Sequence, residues 1–338
     1  MSRMHDANCT MLFDFNYNSG KKSLRLPVLL LVFLFSTIEA FPWGFWAHRK
    51  INFMACFSLP PELFGFYKMH IHFLTEHAVD PDKRRHSDKA EPPRHYIDID
   101  HYGEHAIDSL PKYWKEAVEK LTEDTLQAYG IVPWYIQKMY YRLEQAFKEK
   151  DEKKILYYSA NLGHYIGDAC VPLHCTENYN GQLTNQYGIH GFWESRLPEL
   201  FGDEYDFVCG RAEYISKVQD YAWHLIRGSS AALDSVLSFE KQLNYSFSSD
   251  LKYAYEARGA VTMKVYSEEY SAEFHRMLDG QVERRMRTAI LAVSSMWYTA
   301  WVNAGSPDLG GMLKSDSEFN PLDSLPGDSV IIKSRICD

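Results

Sequence analysis

Asn161-Leu-Gly-His-Tyr-Ile-Gly-Asp-Ala-Cys-Val-Pro-Leu-His-Cys175 carries the strongest structural signal in this 338-residue chain. It closes a polar–apolar periodic run that begins at Asp151 and meets no proline before Pro172. Proline cannot sit in a helix interior, so the run reads as a helix over 151–168 that stops just short of Pro172. His164 and Asp168 are four residues apart, which puts both side chains on one face of that helix. His174 follows in the turn beyond the break.

Working outward, helical periodicity dominates. Behind Pro133, Ile136, Tyr140, Leu143 and Phe147 recur at helical spacing; Val282, Met286, Ile290, Val293, Trp297 and Trp301 do the same, and Gly305 stops them. Further helices are expected over 47–57, 62–75, 112–129, 212–238 and 268–278. No run of strands competes, and Asn180-Gly181 sits in a polar loop rather than a hairpin. No repeat occurs at a fixed period. The expectation is all-α: a single compact multi-helix domain over residues 41–305, with a surface tail over 306–338. Two long loops, 79–102 and 176–188, interrupt the helices, and loops of that length in a compact domain are usually functional or disordered.

The composition is that of a globular protein, 46% apolar and 24% charged. A net charge of -9 without a basic stripe argues against duplex nucleic-acid binding by charge. Binding phosphate through metal ions stays open, since bound cations reverse the local field. Lys21, Lys22 and Arg25 precede an apolar run from Leu26 to Phe35, and small residues lead to Ala40. That is the layout of a secretory signal, too short to span a bilayer. The expectation is a signal peptide over 1–40, with translation able to start at Met11, and a periplasmic or extracellular protein beginning at Phe41, without a transmembrane span. Five of the six cysteines remain after the cut, at spacing that specifies no disulfide framework.

A second pair, His190 and Glu194, repeats the four-residue spacing of His164 and Asp168. Imidazole nitrogen and carboxylate oxygen are good zinc ligands, and two on one helical turn can share an ion. Upstream, Trp43-Gly-Phe-Trp-Ala-His48 stands just after the signal cut, and the 79–102 loop offers Asp80, Asp82, His95 and Asp98. With these in place the chain resembles the superfamily that joins bacterial zinc-dependent phospholipases C to single-strand-specific zinc nucleases. The matching parts are Trp-Gly-x-x-x-His, an Asp ahead of His-aromatic-x-Asp, His-x-x-x-Asp with Pro-Leu-His after it, and His-x-x-Trp-Glu, in the family's order from Trp43 to Glu194.

The resemblance implies up to three zinc ions in one cleft. One would take Asp82 or Asp80, His95, His164 and Asp168. A second would take His174, His190 and Glu194. The third would take His48, Asp168 as a bridging carboxylate, and the backbone amine and carbonyl of Trp43. Such an enzyme is a phosphodiesterase that uses metal-bound hydroxide for in-line attack on phosphorus. Arg84 or Arg85 would neutralise charge on phosphorus, and Asp98 would orient or deprotonate the water. Tyr96 would stack a base or pack beside a headgroup. The substrate is either single-stranded nucleic acid or phospholipid.

The family places its tryptophan first, so that the free amine binds zinc. Here Phe41-Pro42 precede Trp43, and an enzyme that removes X-Pro dipeptides would expose it. The alternative to an enzyme is a zinc-stabilised helical binding protein. Three protein ligands at His174, His190 and Glu194 leave a coordination place open, as a catalytic site needs. No His-Glu-x-x-His occurs, so a zinc peptidase of that type is not expected.

Overall fold

The long helix predicted from the opening stretch forms, and the molecule is built around it. The computed structural model describes residues 45–258 and 261–312. The expected signal peptide over 1–40, Phe41-Pro42, the expected ligand Trp43 and residues 313–338 of the expected tail lie outside the described residues. Among the described residues the fold is all-α apart from one short hairpin.

In chain order the first helices are α1 (Phe45–Ala55), α2 (Pro61–Met69), α3 (Ile71–Glu76), α4 (Asp80–Arg84) and α5 (Ala106–Ser109). Next come α6 (Trp114–Leu121), α7 (Glu123–Tyr129), α8 (Val132–Glu149) and α9 (Glu152–Ala169). The rest are α10 (Ile189–Gly191), α11 (Leu197–Phe201), α12 (Val218–Ser246), α13 (Glu268–Met277) and α14 (Gln281–Asn303). The hairpin pairs β1 (Tyr253–Arg258) with β2 (Val261–Tyr266), antiparallel, with Tyr253 opposite Tyr266 and Glu256 opposite Met263.

α9 is the central helix. Asp151 caps it by accepting from the Lys154 N–H at 3.1 Å. Pro172 ends it, and Pro172–Cys175 form a 3-10 turn. α1, α8, α12 and α14 pack around α9, and nearly every α9 side chain from Ile155 onward is buried. Trp297 of α14 stacks on Tyr67 of α2 at 4.7 Å, and its indole N–H donates to the Ser159 carbonyl at 3.1 Å. Such aromatic pairs add to the area they bury while the polar tip finds a partner.

Two glycines of the opening stretch set the α1–α9 distance. A Cβ on Gly163 would lie 1.9 Å from Asn52 Oδ1, and one on Gly167 would lie 2.9 Å from His48 Nδ1. Asn52 uses the closeness to donate to the carbonyls of Leu74 and Ala160, each at 3.1 Å. The missing side chains therefore bring His48 onto Asp168.

Four expectations needed adjusting. The helix expected over 62–75 is broken at His70 into α2 and α3. The 112–129 helix is broken at Thr122, whose φ of 68° starts α7 afresh. The helix expected over 212–238 runs instead from Val218 to Ser246. A hairpin forms where none was expected, from alternating residues rich in tyrosine and valine, a good strand composition. Of the expected loops, 176–188 is a chain of turns, whereas 79–102 holds α4 and 3-10 turns over Pro92–His95 and Ile99–Tyr102. The cysteines Cys56, Cys170, Cys175 and Cys209 carry free thiols.

Candidate metal centre

Five histidines and three carboxylates from separate parts of the sequence converge beside α9. They form three groups: His48, His164 and Asp168; Asp82, His95 and His164; His174, His190 and Glu194. Within each group the ligand atoms lie within 4.8 Å of one another.

Asp168 is shared. Its Oδ2 faces His95 Nδ1 at 2.9 Å and His164 Nε2 at 3.2 Å, while its Oδ1 faces His48 Nε2 at 3.4 Å and His174 at 3.7 Å. Glu194 spans a second gap. Its Oε2 meets His190 Nε2 at 2.6 Å and His174 Nε2 at 3.4 Å, and its Oε1 lies 3.6 Å from His48 Nε2. Asp82 Oδ1 completes the row, 3.7 Å from both His95 and His164. His95, His164 and Asp168 are buried floor, whereas Asp82, His190 and Glu194 keep some exposure at the mouth.

Backbone carbonyls fix the ring orientations. His164 Nδ1 donates to the Ala78 carbonyl at 2.8 Å, and His174 Nδ1 donates to the His95 carbonyl at 2.6 Å. A carbonyl only accepts, so Nδ1 carries the hydrogen and each neutral ring aims its Nε2 lone pair into the cluster. There His174 Nε2 faces His190 Nε2 at 3.2 Å, and His164 Nε2 faces His95 Nδ1 at 3.1 Å. Ring nitrogens and carboxylate oxygens thus converge on one another. The donor set fits divalent zinc, which takes nitrogen and oxygen in this combination.

The electrostatics make the same demand for positive charge. Burial alone would raise the Asp168 and Glu194 pKa values, but the surrounding imidazoles, His164 and His174 foremost, hold both carboxyls well below their usual range. Burial opposes a charged His48, yet Asp168 and Glu194 outweigh it and push its pKa up to about 10. His95 and His174 are raised for the same reason, against burial. His164 and His190 are lowered, with burial the main cause. The pull of the carboxylates on His48, His95 and His174 marks a demand for positive charge that metal ions would meet.

The geometry separates the aspartates left open by the sequence. Asp82 faces His95 and His164. Asp80 does not join the ligands: it pairs with His77 at 2.5 Å and Lys83 at 3.5 Å. Two residues apart on α4, their side chains leave in roughly opposite directions. Arg85 stays near the cluster, 3.5 Å from Asp82, and its charge is felt at both His95 and His190. Arg84 turns inward to Asn161 at 2.5 Å and to Tyr165 at 3.3 Å.

Tyr96 does not present a free ring face at the cluster. Tyr96 is extended, its ring is buried, and its hydroxyl donates to the Ala128 carbonyl at 3.4 Å, so no ring face is free to stack a substrate. Alternate residues of extended chain point to opposite sides. His95 faces the ligands, and the next residue in that alternation turns away. Asp98 is buried, and its charge is felt at Tyr102 and Cys175.

Glu91 is the residue that the sequence analysis missed. It is wholly buried, with its Oε1 3.5 Å from His95 Nε2, the ring nitrogen turned away from the ligands. It accepts from Arg94 at 2.6 Å, from Arg84 at 3.4 Å and from the Tyr165 hydroxyl. Burial would raise its pKa, but His95 and the two arginines hold it well below the carboxylate range. A carboxylate behind a ligating histidine fixes the ring and raises its basicity. Its four-residue spacing to His95 was the only trace in the sequence.

No protein-family model and no curated protein matches the chain. Among solved structures it is similar to the alpha toxin of Clostridium absonum (TM-score 0.46, 11% identity) and to the alpha-toxin of a Clostridium perfringens avian strain (TM-score 0.47, 13% identity). The overlaps cover 78% and 79% of this chain but only 65% of each toxin chain, under two thirds of their length.

Proposed function

We propose that this protein is a zinc-dependent phosphodiester hydrolase of the superfamily that its motifs resemble. The observation that carries the reading is the convergence of five imidazoles and three carboxylates in three groups whose ligand atoms lie within 4.8 Å of one another. Asp82, His95, His164 and Asp168 would hold one ion, and His174, His190 and Glu194 another. His48 and Asp168 would hold a third, together with Trp43. Zinc there supplies an acidified water and neutralises charge on phosphoryl oxygens.

The chain's own residues then have separable tasks. Asp168 and Glu194 each turn one oxygen to one group and the second oxygen to its neighbour, which keeps the groups at fixed spacing. Glu91 places its charge 3.5 Å behind the outer nitrogen of His95. Arg85 lies between the His95 and His190 sides and keeps partial exposure, so its guanidinium can meet a phosphoryl group entering the mouth. Three protein ligands at His174, His190 and Glu194 leave room for substrate, unlike a closed structural site. The substrate is a phosphodiester, presented by single-stranded nucleic acid or by a phospholipid headgroup. Export is part of the proposal and rests on residues 21–40; no helix of the described residues is long and apolar enough to cross a membrane.

The test uses bis(p-nitrophenyl) phosphate as a minimal diester. Hydrolysis should disappear with a chelator and return with zinc. Single-stranded oligonucleotide and phosphatidylcholine, assayed side by side, then assign the substrate. Zinc binding without turnover of any diester would favour the zinc-stabilised binding protein instead.

A further inference from the structure

Between α10 and α11, residues Phe192–Arg196 form a π-helical turn with Glu194 at its centre. A π-turn bonds i to i+5 and adds one residue to the winding; such turns are rare and short. Relaxing one to α geometry shifts the register by one residue, roughly 100° about the helix axis. A carboxylate that must serve two groups at once does not tolerate that rotation. Something has to hold the turn.

The hairpin does. Arg196 is 3% exposed, and a buried guanidinium requires partners. Its Nη1 donates to Glu256 Oε2 at 2.9 Å, its Nη2 to Glu256 Oε1, and its Nε to the Tyr266 carbonyl at 3.2 Å. Glu256 belongs to β1 and Tyr266 ends β2, so one side chain ties both strands. At the other end of the turn, Phe192 stacks on the Tyr266 ring at 3.8 Å and 13°. Tyr266 in turn donates from its hydroxyl to the Tyr187 carbonyl at 3.2 Å, in the loop that leads to His190. The strands thus grip the turn on both sides of Glu194.

We infer that the β1–β2 hairpin is a clamp that positions Glu194, with Arg196 and Glu256 as its positioning residues. They act through the backbone of the turn, by the Arg196–Glu256 pair and the Arg196 bond to the Tyr266 carbonyl. The inference rests on the zinc reading above and adds a specific dependence: the zinc held by His174, His190 and Glu194 needs the hairpin, whereas the zinc held by Asp82, His95 and His164 does not.

The experiment titrates zinc against a competing chelator in full-length wild type, Glu256→Ala, Glu256→Gln and Arg196→Lys, and records Tm with and without zinc. The expected result is selective. Glu256→Ala weakens zinc at the Glu194 group by about 10- to 100-fold, the usual effect of losing an outer partner, and leaves the Asp82 group unchanged. The zinc-induced rise in Tm shrinks, and Glu256→Gln, which keeps one acceptor oxygen, falls between. Should Glu256→Ala fail to fold, the Gln and Lys variants carry the same comparison. Unchanged zinc affinities with Tm lowered equally in zinc-free and zinc-loaded protein would overturn the clamp and leave a plain structural ion pair. A wild type that binds no zinc would overturn the zinc reading itself, and the clamp with it.

Discussion

Glu91 and Asp82 are the residues whose substitution separates this account from a generic cluster of polar side chains. Glu91→Gln keeps the volume but removes the charge behind His95; zinc affinity should fall about 10- to 100-fold, measured by chelator competition. Asp82→Asn should abolish zinc at the His95–His164 group. Asp80→Asn should leave zinc binding intact and cost about 1 kcal/mol of stability or less, since its partners are His77 and Lys83. Equal zinc loss in both aspartate variants would contradict the placement of α4. The His164–Asp168 pair was legible in the sequence because α-helix geometry turns a spacing of four into a shared face, and the same spacing pointed to His190–Glu194 although a π-turn carries Glu194. The choice between Asp80 and Asp82 was not, because spacing does not say which way a short helix turns within a loop. The role given to Tyr96 came from its match to the family's His-aromatic-x-Asp motif, which does not say that extended backbone buries the ring.

At the scale of elements, the decisive contact is α1 against α9. Gly167→Ala pushes a methyl group against the His48 ring, and Gly163→Ala pushes one into Asn52. Overpacking of this kind costs roughly 1–3 kcal/mol. Both variants should therefore lower Tm, but only Gly167→Ala should also weaken zinc, because His48 is the side chain displaced. Thermal melts with and without zinc distinguish the two. α8, α9, α13 and α14 were legible as periodic apolar runs with clear stops, Pro172 for α9 and Gly305 for α14. The start of α12 was not, since residues 212–217 carry helix-compatible residues yet form an irregular strip; the Glu213 and Ile215 amides there donate to Ser295 and Thr299 of α14. The hairpin was missed because its twelve strand residues were read against a background of helices.

For the molecule as a whole, protons and metal ions compete for one buried centre, and this gives a pH dependence with a definite sign. His48 has its pKa raised from 6.5 to about 10 by Asp168 and Glu194 against the opposing effect of burial. A group raised on folding stabilises fully below its unfolded value and loses that contribution as pH rises through its folded value. In zinc-free protein the Tm should therefore fall between about pH 6.5 and 10 as His48 deprotonates beside its carboxylates. Asp168 and Glu194, both lowered, contribute above the ordinary carboxylate range and lose that contribution as acid reaches them. Zinc should replace the protons, so zinc-loaded protein should keep its Tm through the alkaline range. Binding should release protons, seen as a dependence of calorimetric enthalpy on buffer. A zinc-free Tm that is flat from pH 6.5 to 10 would contradict this charge balance.

Zinc per chain, by elemental analysis of protein purified without added metal, tests the centre most directly. The expected value is near three, one ion for each of the three groups. A value near zero that zinc dialysis does not raise would contradict the metal centre and the hydrolase built on it.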